Sequence, residues 1–121
     1  MSTESAYALL TKGLALLADH RDHQAAIVLE RARAQEPDKG SVREALARAY
    51  YGSGRPALAR GEFEAALEID PSNDYAHFGL ALCLEREGEI ASARGHAKLA
   101  CAMRPEDDNY KRALERIARA S

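Results

Sequence analysis

Asp19, His20, Asp22 and His23 place carboxylates and imidazoles at one point of the chain, the donor types of a zinc or acid–base site. A metal centre needs donors converging at fixed spacing. No further strong ligand stands nearby at such a spacing, so the cluster reads as a solvated turn. Gly52-Ser53-Gly54-Arg55 has the small residues of a phosphate loop. No strand pattern precedes it and no Lys-Ser or Lys-Thr follows, so it reads as a turn between helices. Cys83 and Cys101 lack a matched His, and no serine occupies a strand-to-helix turn. Both cysteines fall inside helical patterns, where a free thiol fills a gap in the core of a protein kept reduced. His77 and His96 lie on separate helices of the last third, where partial burial or exposure explains them. These groups give no support for catalysis, a cofactor or a metal.

The elements that position these residues are helices. In the segments 7–18, 42–51, 63–69 and 75–84, apolar residues recur at three- and four-residue steps. Gly52, Gly54 and Gly88 supply turns, and Pro56 suits the first turn of a helix, where its missing N–H costs nothing. Asp22, Asp74 and Asp108 are expected to bind free N–H groups near helix starts. The 121 residues are enough for one small domain. With 17 Lys and Arg against 19 Asp and Glu, a nucleic-acid backbone is a poor partner. The chain begins without a cationic segment leading into an apolar run, and charge interrupts every apolar stretch. No signal peptide, no membrane span and a cytoplasmic location are therefore expected.

Pro37, Pro71 and Pro105 are each 34 residues apart, and their surroundings recur in register. Ala25, Ala59 and Ala93 share one column of this repeat, Ala32, Ala66 and Ala100 a second, and Gly13, Ala47 and Ala81 a third. Bulk recurs in others: Lys12, Leu46 and Leu80; Leu16, Tyr50 and Leu84; Leu29, Phe63 and Ala97. A 34-residue period with small residues in these columns and proline at the end resembles the tetratricopeptide repeat, a two-helix unit that stacks into a solenoid. The middle unit matches most fully, through Leu46-Ala47, Tyr50, Gly54, Ala59, Phe63, Ala66 and Pro71. The outer units depart from the pattern. Where the family often has Trp, this chain has Leu9, Arg43 and His77; Lys12 stands for a Leu, His20 for a Gly and Ala97 for an aromatic.

The resemblance implies an all-α fold: a right-handed solenoid of antiparallel helix pairs. It would form one domain, 1–121, with repeats at 6–39, 40–73 and 74–107 and a capping helix at 108–121. Each second helix should stop before its proline, at Glu36, Asp70 and Arg104. Tyr110, Ala113, Leu114, Ile117 and Ala118 form the apolar face of the cap, opposite Lys111, Arg112, Glu115, Arg116 and Arg119.

The resemblance also implies function. First helices of such units line a concave face that binds a peptide or helix of a partner protein, as an adaptor or scaffold does. On that face it places Tyr7, Leu10 and Leu14, then Arg48 and Tyr51, then Tyr75, Phe78, Leu82 and Arg86. One subset of the family grips a C-terminal carboxylate with Lys, Asn and Arg. The matching columns here hold Tyr7, Thr11, Ser41, Ala45, Tyr75 and Gly79, so that clamp is absent. Arg48 and Arg86 are expected to pair with Glu44 and Glu85 on the surface. The apolar stripe has three readings, a binding groove, a homodimer interface or core packing. A self-associating structural protein and a non-catalytic regulatory subunit are the functional alternatives.

Overall fold

The computed structural model describes residues 4–121, among which there are seven α-helices and no strand. They are α1 (Ala6–Ala18), α2 (Asp22–Gln35), α3 (Gly40–Gly52), α4 (Pro56–Ile69), α5 (Asp74–Arg86), α6 (Ile90–Met103) and α7 (Asp108–Arg119). Each helix packs on the next. Odd-numbered helices also touch the odd-numbered helix before them, whereas the even-numbered ones do not touch one another. The odd layer is therefore the tighter one, and the stack curves around it.

Small residues permit this spacing. Ala25, Ala59, Ala93, Ala32, Ala66 and Ala100 are all completely buried on the even helices. Larger core residues fill the space between layers, with Leu9, Leu29, Leu46, Phe63 and Ile117 nearly inaccessible. Gly79 shows how close the approach becomes, since a Cβ there would run into the Phe63 ring. Lys12, aligned with Leu46 and Leu80, is exposed and pairs with Glu4 at 3.9 Å. Among the described residues no helix packs on that side of α1.

Both kinds of turn repeat in geometry as in sequence. The N–H groups of Arg21, Arg55 and Glu89 donate to the carbonyls of Leu16, Tyr50 and Leu84 at 2.9, 2.8 and 2.9 Å, the Schellman ending of a helix. That ending needs a left-handed residue, here His20 (φ 60), Gly54 (φ 80) and Gly88 (φ 81). The even helices stop at the C-caps Glu36, Asp70 and Arg104, directly before the prolines. Helix starts differ from the sequence expectation. The capping side chains are Ser5, Asn73 and Asp107, which accept from the N–H groups of Ala8, Ala76 and Tyr110. Asp22, Asp74 and Asp108 instead open their helices as first-turn acids, one position too late to cap but favourably placed at the positive helix end.

His20 carries a Cβ in a conformation that costs an L-residue about 1–2 kcal/mol. His20→Gly is expected to raise the unfolding free energy by about 1 kcal/mol, part of the relief being offset by the freer unfolded chain. Urea denaturation of the two proteins measures this, and a destabilised variant would mean His20 makes compensating contacts.

Candidate binding groove

A cleft of about 240 Å³ opens on the odd-helix face, between the α1–α2 turn, α3 and α5. Leu17, His20, Asp22, Arg48, Tyr51, Tyr75 and Leu82 line it, with Phe63 and Gly79 also contributing. Local structure explains the depth. Gly79 lets the Phe63 ring of α4 come forward between α3 and α5, and Gly52 leaves room for the Asp22 carboxylate beside α3.

The nine groove residues expected from sequence divide into four sets. Arg48, Tyr51, Tyr75 and Leu82 line the cleft, and Arg86 sits beside it with its guanidinium over the Tyr51 ring. Tyr7 and Leu14 stand on α1 with 73% and 41% of their surface exposed. Leu10 packs in the core at 9% exposure and does not line this cleft. Phe78 is half-buried. Its ring lies 4.7 Å from that of Tyr110 on α7 and 5.8 Å from that of Tyr75, so the capping helix covers part of it. A three- and four-residue stripe is one face of a helix. Here that face spans the groove, the core and the seam with α7.

The expected surface ion pairs do not form. Arg48 lies over the Tyr75 ring, 5.6 Å from its centroid, and Arg86 over Tyr51 at 5.1 Å. Glu44 accepts from the Asn73 amide at 3.1 Å, and Glu85 accepts two bonds from Arg116 of α7 at 2.8 and 2.7 Å. Adjacent residues such as Glu85 and Arg86 point around different sides of a helix, so each reaches a different neighbour. The Arg116 bonds hold the Glu85 carboxyl below its ordinary range. Burial pushes the Tyr75 hydroxyl up, with Arg48 opposing it.

The most buried polar groups, Glu62 and His77, were not legible from single residues. Leu9, Arg43 and His77 stand 34 residues apart, as do Val28, Glu62 and His96. In the first unit this pair of positions is apolar and in the core. In the second, Glu62 is only 8% exposed and takes charged bonds from Arg33 at 2.6 Å and Arg43 at 2.9 Å. In the third, the two imidazoles stack, with Nδ1 atoms 3.0 Å apart. Arg43 and His77 also bond the carbonyls of Pro37 and Pro71, at 2.8 and 3.0 Å. A carbonyl only accepts, so His77 donates through Nε2 and its Nδ1 accepts from His96. The 34-residue period was the available signal, since it alone aligns the three members of each column.

Neither cysteine is a nucleophile candidate by environment. Both are free, and burial pushes the Cys83 thiol up to about 12, keeping it protonated. Among the described residues, no group of three or more His, Cys, Asp or Glu is gathered to hold a metal. Of the acid and imidazole cluster at the first turn, His20 and Asp22 reach the cleft wall.

Helix pairs in two layers, curved around a cleft built from side chains of the inner layer, define a helical-repeat solenoid. The model of the family described as Tetratricopeptide repeat matches residues 44–108. The chain belongs to the tetratricopeptide repeat family. Solved structures share the whole architecture. The first such domain of Spaghetti (RPAP3), bound to the HSP90 peptide SRMEEVD, superposes with TM-score 0.91 at 16% identity, covering 99% of this chain and 95% of that one. The Sgt2 domain from Aspergillus fumigatus gives 0.89 at 23% identity, covering 98% and 80%. The Yersinia enterocolitica type III secretion chaperone SycD, in complex with a peptide of the translocator YopD, gives 0.80 at 18%, covering 98% and 90%. At these identities the likeness is one of fold.

His96 is expected to give stability a pH dependence. Burial, then the neighbouring His77, depresses the His96 pKa below its ordinary 6.5, with Glu64 opposing. The unfolded chain then binds the proton more readily, so stability is full above pH 6.5 and declines as pH falls below it. Melting temperatures measured across that range should fall with acidity, and His96→Gln should flatten the slope. A slope unchanged in His96→Gln would place its origin elsewhere.

Proposed function

We propose that this chain is a protein-interaction module, an adaptor or scaffold, that binds a peptide or helix of a partner protein along its concave face. Its units would be 6–39, 40–73 and 74–107, closed by 108–121. The observation that carries the reading is the cleft itself: Tyr51, Tyr75 and Leu82 offer apolar surface to solvent while Arg48 and Arg86 stand beside them without a carboxylate partner among the described residues. Rigid helices present these groups already in place, so a ligand loses little of its binding energy to ordering the protein. The peptide complexes of the Spaghetti domain and of SycD support this use of the fold. Tyr7 and Leu14 extend the surface along α1.

Self-association is the second reading, and the exposure of Tyr7 and Leu14 favours it. Solution mass separates the two. A monomer leaves the concave face free, whereas a dimer dispersed by Tyr7→Ser would assign that edge to a second copy.

The partner reading is tested by affinity capture with mass spectrometry using Leu82→Glu and Arg86→Glu, beside Leu58→Glu on α4, away from the cleft and 51% exposed. The two groove variants should lose partners that the wild type and Leu58→Glu retain. Arg86 is exposed, so its variant should melt like the wild type. Full retention by both groove variants would remove this face from the binding function.

A further inference from the structure

We propose that the concave face takes an internal acidic segment of a partner protein, with Asp or Glu side chains held by Arg48, Arg86 and Arg112 and an apolar side chain seated in the cleft. This rests on the groove reading above and names the chemistry that would occupy it. The chain as a whole carries net charge -2, yet at the cleft Arg48 and the adjacent Arg86 stand against a single lining carboxylate, Asp22. Two other carboxylates of this face, Glu44 and Glu85, are already engaged by Asn73 and Arg116. Arg48 and Arg86 form no ion pair among the described residues, each resting on a tyrosine ring instead.

The capping helix extends the same face. It packs on α6 and touches α5, as an inner helix would, and Arg116 faces α5 through its bonds to Glu85. Arg112 lies one turn earlier on that stripe. It bonds only the Asn109 side chain, and no carboxylate among the described residues pairs with it. A guanidinium stacked on an aromatic face keeps its N–H edge free, and that planar edge matches a carboxylate in a two-bond contact. The tyrosines hold two guanidinium groups in place ahead of ligand binding.

The segment would be internal and not a chain end. The positions that grip a terminal carboxylate in the resembled subset hold Tyr7, Thr11, Ser41, Ala45, Tyr75 and Gly79, none of them a cation. The cations here lie at other positions. A cleft of about 240 Å³ is smaller than the roughly 300–1,000 Å³ of small-molecule sites. It has room for one large side chain of a segment that otherwise runs along the open face. Asp22 is the one carboxylate lining it, on the side away from α7, so acidic residues of the ligand would lie toward α5 and α7.

Fluorescence anisotropy with an acetylated, amidated peptide GSELEEFEGS, and with its counterpart GSQLQQFQGS, tests the assignment on the full chain. The Glu peptide should bind about tenfold or more tightly than the Gln peptide, and added NaCl should narrow the gap. Arg48→Gln combined with Arg86→Gln should remove the gap without shifting the melting temperature, whereas Leu58→Glu, away from the cleft, should keep it. Equal binding of both peptides would overturn the acidic assignment and leave the groove reading intact. Binding of neither, or binding that Leu82→Glu leaves unaltered, would overturn the groove reading as well. A marked preference for the non-amidated peptide, or tighter binding of a single-stranded oligonucleotide, would replace the internal acidic segment with another ligand.

Discussion

The close approach of paired helices through fully buried alanines is the constraint on which the molecule depends. Ala25, Ala59 and Ala93, with Ala32, Ala66 and Ala100, leave no accessible surface. A larger side chain in such a column would push the layers apart, because well-packed interiors absorb extra volume only by strain. Since the even helices do not touch one another while the odd ones do, curvature and the inner face follow from the same packing. The Gly79–Phe63 approach is a local case of it. By admitting the ring between α3 and α5 it shapes the floor of the cleft, so one contact serves both fold and site.

One structural position is filled in three chemically different ways. Leu9 with Val28 is apolar, Arg43 with Glu62 is an ion pair, and His77 with His96 is a stacked pair of imidazoles. Burying polar groups costs stability unless each finds partners. Here Arg33 supplies a second cation to Glu62, and the proline carbonyls accept from Arg43 Nε and His77 Nε2. No buried side-chain nitrogen or oxygen among the described residues lacks a partner. The polar pairs also tie each inter-repeat turn to the helices it joins, which an apolar residue at the same place would not do.

The capping helix has two roles at once. Tyr110, Ala113 and Ile117 bury the last apolar face, as the outward polar pattern of α7 requires. Tyr110 also stacks on Phe78 and donates to Asp74, and Arg116 engages Glu85. Each contact takes a residue of α5 out of the free inner surface. The end of the solenoid thus decides how much of the inner layer stays open to a ligand.

The number of helices, their two-layer alternation, the stop before each proline and the glycine turns were legible in the chain, because they arise from local backbone preferences and a fixed period. His20 was visible in the same way, as the one non-glycine of its column. Which member of an apolar stripe is core and which is groove was not. Leu10 and Leu14 are one turn apart on α1, yet one is buried and the other open, since burial depends on neighbouring helices and not on spacing. Arg48 and Glu44 had the spacing of an ion pair, but tertiary neighbours offered Tyr75 to one and Asn73 to the other. Sequence period determined the scaffold. Only the packing of one repeat on the next decided which charges were neutralised and which were left facing the groove, because those partners are contributed by helices far apart in the chain.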